Sequence, residues 1–223
     1  MKFFFLWASL ILGIPIQSWA QIPGYEGKRA LIDLSVDLSP AIRIASRRDL
    51  PPYIFNVQAL LEAEYTMNRK LSLGGHIQPL LAGVNYEVDN FEGRAQIRGM
   101  GIGLSARLYS FQRKGNIAPL GPYKKLEIFY VTYWMTDEDE RFYQDGRTWL
   151  GRYHDLGVGL TLGDRRMLGD GLSIHYGIRF ATIFGTLDGS RKPERAYLKD
   201  IATDRLQGYF FTNFHIGMGI LIF

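Results

Sequence analysis

Ser173 and His175 flank Ile174 in a run that alternates polar with apolar, Leu172-Ser173-Ile174-His175-Tyr176-Gly177-Ile178-Arg179. Alternate residues of a strand share a face, so hydroxyl and imidazole would lie side by side, the smallest pair that could attack an acyl ester. Such a pair also needs a carboxylate to orient the imidazole, and none is adjacent in the sequence. His76, His175 and His215 raise a second chemistry, metal ligation, because each falls on a polar strand face. In antiparallel strands His215 is expected several residues above His175. At about 3.3 Å per residue that exceeds the ~2.0–2.1 Å reach of ligands to one zinc.

Charged side chains offer a third chemistry. Asp33, Asp37, Glu62, Glu64, Arg107, Lys125, Glu127, Asp155 and Arg179 all fall on the polar faces of alternating segments. Enclosed together they must pair, since an unpaired buried charge costs several kcal/mol. The structural reading is an ion-pair plug that closes a pore and fixes strand register. Its rival is a gated or proton-conducting path.

The elements that would position these residues are eight alternating segments: Arg29–Ala41, Tyr53–Thr66, Leu71–Leu81, Ala95–Ser110, Tyr123–Met135, Trp149–Leu162, Leu172–Phe184 and the C-terminal Gly208–Phe223. The second is the clearest. Phe55, Val57, Ala59, Leu61, Ala63 and Tyr65 oppose Asn56, Gln58, Glu62 and Glu64, with Leu60 out of pattern. A helix would scatter both sets around its circumference. The fifth is the least tidy, because Phe129 and Val131 join Lys125 and Glu127 on one face. Connections after the second and sixth segments are short, and those after the first, third, fifth and seventh are long and polar. That asymmetry belongs to outer-membrane barrels, as do aromatics near strand ends: Tyr53, Phe55, Tyr65, Tyr109, Phe111, Tyr123, Trp134, Trp149, Phe184 and Tyr209. A secreted soluble barrel, apolar within and polar without, would show the same alternation.

Residues 1–20 read as a cleaved signal peptide: Met1-Lys2, an uncharged apolar core over Phe3–Ile16, then Ser18 and Ala20 before a cut between Ala20 and Gln21. The apolar run falls short of the ~20 residues of a spanning helix. Residues 21–223 then form one barrel domain. The chain has no cysteine and a net charge of only +4 without a polybasic run, which leaves no thiol chemistry and no basis for nucleic-acid binding.

With Gly24-Tyr25-Glu26-Gly27-Lys28-Arg29 and Asn116-Ile117-Ala118-Pro119-Leu120-Gly121-Pro122-Tyr123, residues 21–223 resemble the small eight-stranded outer-membrane β-barrel proteins of Gram-negative bacteria, the OmpA and OmpX type. The two stretches look like marks of one branch of such barrels. The resemblance implies an all-β, eight-stranded antiparallel up-and-down transmembrane barrel in the outer membrane. It also implies contact with membrane lipid and lipopolysaccharide, and with the barrel-assembly machinery during insertion. Phe223 is the strand-closing C-terminus, although the apolar residues before it sit on even positions and the aromatic ends out of phase with them.

The expected function is that of a monomeric, non-catalytic, plugged barrel without cofactor or metal. It would act as an envelope-structural or surface-recognition protein through four outer loops. These carry Arg43, Arg47 and Arg48; the run Asp137-Glu138-Asp139-Glu140; and Arg191, Lys192, Glu194, Arg195, Lys199, Asp200, Asp204 and Arg205. Arg69-Lys70, Arg113-Lys114 and Arg165-Arg166 are expected to anchor the opposite turns in water. The alternatives are a binding subunit of a larger outer-membrane complex, an outer-leaflet lipid hydrolase built on Ser173 and His175, and a small pore.

Overall fold

Period-two alternation forces each strand to present one face to a shared interior, and the strands close on themselves to provide it. The computed structural model describes residues 28–40, 55–68, 70–88, 91–110, 120–137, 149–168, 171–185 and 193–222. In chain order these form β1 (Ala30–Pro40), β2 (Phe55–Asn68), β3 (Leu71–Val88), β4 (Phe91–Tyr109), β5 (Gly121–Asp137), β6 (Trp149–Met167), β7 (Leu172–Gly185), α1 (Pro193–Phe210) and β8 (Thr212–Leu221). Each strand pairs antiparallel with the next, and β8 pairs with β1, giving a closed eight-stranded up-and-down barrel. The signal segment, its cleavage point, Phe223 and the arginines of the first outer loop lie outside the described residues.

The alternation sorts by face in one sense throughout. Asp33, Asp37, Glu62, Glu64, Arg107, Lys125, Glu127, Asp155 and Arg179 are buried inside, whereas Leu34, Val57, Ile102, Leu104, Ile128, Val158, Phe214 and Ile220 are exposed outside. The wall is apolar outward and polar inward, the reverse of a soluble barrel. Leu60, the exception in β2, is fully enclosed on the polar side. Phe129 and Val131 likewise face inward.

Several strands run further than their alternation suggests. β3 and β4 pair out to Val88 and Phe91, so the expected second outer loop is mostly a protruding hairpin. β6 continues past Gly163 to Met167 and carries Arg165 inward, buried, instead of leaving it in a watery turn. The turn from β6 to β7 ends on Gly171 at φ +81°, a left-handed conformation that glycine adopts without strain. The Gly171 carbonyl accepts the Leu221 amide at 2.8 Å, pinning the last strand to this turn.

The largest departure lies before β8. The fourth outer connection contains the 18-residue helix α1, and Tyr209 and Phe210, expected in the final strand, are its last two residues. The helix packs into the barrel mouth through Ala202, Leu206, Tyr209 and Phe210. Against them stand Leu80, Ala82, Val84, Ala95, Ile97, Phe129, Val131, Tyr133, Met135, Tyr153, Ala181 and Ile183 from the inner wall. The lumen is therefore polar only in part; its loop-side end is an ordinary hydrophobic core. Of the expected rim aromatics, Tyr109, Tyr123 and Tyr209 are buried inside, while Tyr65 and Phe184 face outward.

Glycines make room for this interior. Gly157 is in register with Phe129, Gly159 with Glu127 and Gly163 with Tyr123. Gly103 lies opposite His76, and Gly217 opposite His175. A Cβ at any of these five would meet the opposing side chain closer than 3.0 Å, so each large lumen residue lies flat over a bare backbone on its neighbouring strand. Gly101 differs, since the nearest atoms to a Cβ there are Gln78 Cβ and O at 3.7 Å and Tyr130 O at 3.9 Å, ordinary contact distances. Overpacking typically costs ~1–3 kcal/mol. Gly157→Ala should lower barrel stability by about that amount in urea unfolding followed by circular dichroism. Adding Phe129→Leu should restore part of the loss, and Gly101→Ala should be close to neutral.

Candidate functional site: a closed ring of ion pairs in the lumen

Within the half of the lumen nearer the chain termini, the charged residues form a single circuit. Arg179 donates to Asp37 at 2.9 Å and contacts Glu127 at 2.6 Å. Glu127 faces Lys125 at 3.5 Å, and Lys125 reaches Glu62 at 2.9 Å. Arg107 bridges Glu62, at 3.0 Å, and Glu64. Arg165 then joins Glu64, at 3.0 Å, to Asp33, at 2.9 Å. His175 Nδ1 lies 3.1 Å from Asp33, and His215 Nδ1 lies 2.5 Å from Asp37. The two imidazoles stack with ring centroids 4.8 Å apart, and this contact closes the ring.

Antiparallel register explains why distant residues meet. Asp33 is paired with Glu62 across β1 and β2, and Asp37 with His215 across β1 and β8. His175 stands opposite Gly217, and Gly177 opposite His215. The histidines are thus diagonal neighbours over two glycines, not separated along the barrel as sequence position suggested. Neutral groups complete the circuit. Ser105 donates to Glu62 at 2.5 Å, and Tyr109 and Arg165 share a 2.7 Å bond beside Glu64. Gln78 bonds Gln58 and takes a 3.5 Å bond from Arg179.

Eight of the nine charged residues singled out by alternation belong to this ring. Asp155 does not: it accepts the Tyr133 hydroxyl at 2.8 Å within the apolar end. Arg165, His175 and His215 complete the circuit, and sequence reasoning left them out. Parity alone would have found Arg165, since it continues the inward series Asp155, Gly157, Gly159, Thr161, Gly163.

The ring meets the helix at Arg179. Its guanidinium carbon lies 5.5 Å from the Phe129 ring centroid and 5.8 Å from that of Phe210. Gln58 donates to the Tyr209 carbonyl at 2.6 Å and Asn213 to the Phe210 carbonyl at 3.0 Å, so lumen side chains satisfy the C-terminal carbonyls that every helix leaves open. Arg205 donates to Gly83 O and to Asn56, both at 2.8 Å. Gln207 accepts the Ile183 amide at 3.2 Å and donates to Thr182 at 2.6 Å. Burial pushes the Tyr209 phenol up to about 12, against smaller pulls from the Leu81 backbone and Arg205. It stays neutral across the physiological range.

The other chemistries fare differently. The Ser173 hydroxyl donates to the Gly219 carbonyl at 3.2 Å rather than to an imidazole, and both Ser173 and His175 are enclosed. His76 lies against Phe129 at 6.4 Å between ring centroids, away from the stacked pair. Among the described residues, no three such side chains converge to hold a metal ion.

No family model and no curated protein matches the chain. Among solved structures it is similar to the N-terminal β-barrel domain of Pseudomonas aeruginosa OprF, at 8% identity and TM-score 0.42, covering 86% of this chain and 97% of that one. It is also similar to Neisserial surface protein A, at 10% identity and TM-score 0.42, covering 88% of this chain and 98% of that one. The eight-stranded architecture stands on the strand pairing of the chain itself.

Removing one partner of a buried ion pair typically costs ~3–5 kcal/mol, because the other charge is stranded. Arg179→Met should therefore destabilise the barrel by about that amount in denaturant titration. Adding Asp37→Asn should cost less than the sum of the single changes, and strict additivity would show that the two do not act as a unit.

Proposed function

We propose that the chain is a non-catalytic outer-membrane barrel whose lumen is permanently shut, leaving its role to the outward wall and the loop-side end. The observation that carries this is the stacking of two unlike plugs. A closed ring of ion pairs fills the terminal half of the lumen, and an apolar core sealed by α1 fills the other. An eight-stranded barrel is just wide enough for side chains to fill, so neither plug leaves a water path. The apolar outer wall supports insertion in a membrane, where a closed barrel satisfies every backbone group of its strands.

The direction of insertion follows from the connections. The described turns at the terminal end are short, as between Asn68 and Leu71, and the larger elements stand at the other end, with α1 in the barrel mouth and the β3–β4 hairpin protruding. Short turns on the periplasmic side and larger elements outside are the rule for such barrels. The loop-side end is then the part exposed for envelope-structural or recognition work.

Planar bilayers test the shut lumen. Purified protein should give no single-channel steps under applied voltage, and steady reproducible steps would contradict it. Leu206→Ala with Phe210→Ala should weaken the outer seal yet still give no steps, since the ion-pair ring remains.

A further inference from the structure

On the loop-side rim of the described outward wall, the apolar surface gives way to a cluster of cationic side chains. Arg98 on β4, Trp134 on β5 and Arg152 on β6 occupy consecutive positions of one cross-strand row. Both arginines are exposed, and Trp134 is half-buried between them. Neighbouring strands lie ~4.8 Å apart, so the two arginine stems start about 10 Å from each other, and their guanidiniums can converge above the indole. Below them Tyr130 bonds His154 at 2.6 Å, with the rings stacked at 5.7 Å.

The height of this row is set by the strand itself. On β5 the outward positions between Lys124 and Trp134 run Leu126, Ile128, Tyr130 and Thr132. Ten residues of a strand tilted ~40° rise about 25 Å, the height of the apolar band of an outer-membrane barrel. With Lys124 at one interface, the Arg98–Trp134–Arg152 row lies at the other. An interfacial tryptophan fits that depth.

Two arginines on a lipid-facing wall need an anion. At the terminal-side rim the outward Arg166 has one, Asp164 at 3.0 Å. Among the described residues, Arg98 and Arg152 have no carboxylate partner. Arg98 donates to Gln96 Oε1 at 3.2 and 2.6 Å, and Arg152 to Thr132 Oγ1 at 3.3 Å. These neutral acceptors orient the guanidiniums without cancelling their charge. A planar guanidinium binds phosphate oxygens in pairs and is less strongly hydrated than an ammonium.

We infer that Arg98, Trp134 and Arg152 form a docking site for the phosphate of a phosphorylated lipid in the leaflet on the loop side. The inference rests on the membrane insertion proposed above. Acyl chains would lie down the apolar wall below, along Met100, Ile102 and Ile128, and the headgroup would sit over the indole.

The test uses the protein in nanodiscs of phosphatidylcholine carrying equal amounts of lipid A and its dephosphorylated form, with retained lipid counted by native mass spectrometry. One charge-assisted hydrogen bond is worth at least ~1.5 kcal/mol, so wild type should retain the phosphorylated form at least about tenfold over the other. Arg98→Gln with Arg152→Gln should reduce that ratio to near one, while Lys124→Gln, at the opposite rim, should leave it unchanged. Equal retention by wild type, or an unchanged ratio in the double variant, would overturn the site. Displacement of the lipid by millimolar inorganic phosphate would also overturn it, marking a site for the free anion. Failure of wild type to enter nanodiscs at all would instead overturn membrane insertion, and the site with it.

Discussion

Everything inside this barrel answers to one constraint, the width of an eight-stranded lumen. An interior of eight strands is just wide enough for side chains to fill, so inward charges must pair with one another and each large side chain needs a gap opposite. For the charged side chains, the chain of pairs through Arg179, Glu127, Lys125, Glu62, Arg107, Glu64, Arg165, Asp33 and Asp37, closed by the His175–His215 stack, meets the first demand. Glycines 103, 157, 159, 163 and 217 meet the second. Glu62, Glu64 and Glu127 each link cations from two different strands, and Asp33 and Asp37 each link an arginine to a histidine, so the circuit also ties register around the barrel. A one-residue slip of any strand would turn its charged residues into the apolar exterior.

The change from a polar to an apolar lumen follows from α1. A helix entering the mouth presents Leu206, Tyr209 and Phe210, and wall residues at that level must match them. The junction falls on Arg179, whose charge is paired on one side by Asp37 and Glu127 and faces the Phe129 and Phe210 rings on the other. Gln58 and Asn213 close the helix end from within the wall. Helix and ring are therefore one packed unit.

Strand count, pairing and the grouping of residues by face are legible because period-two alternation is a local property, while the asymmetry of the connections and the aromatics near strand ends are what turn the polar face inward. Alternation puts Glu62, Arg107 and Arg179 on the polar faces of their strands, and that asymmetry puts those faces inside. What was not legible depended on register or on an element that breaks the pattern. The His175–His215 stack is invisible until Gly217 is known to face His175. Tyr209 and Phe210 continue the strand alternation by chance, so helix α1 was masked by the β8 pattern it runs into. The mixed face of β5, with Lys125 and Glu127 beside Phe129 and Val131, was the one visible trace of a lumen that changes character along its length. Arg165 escapes because the alternation reads as ending at Leu162, whereas β6 continues through Gly163 to Met167.

The central claim is that a wall apolar outside and an interior closed by paired charge make a barrel that lives in the outer membrane. Heat-modifiability tests it most directly: outer membranes are isolated and the protein's gel mobility is compared with and without boiling. The account predicts a protein recovered in that fraction whose unboiled form resists detergent and migrates differently from the boiled one. Recovery as a soluble periplasmic protein with identical mobility in both lanes would contradict it.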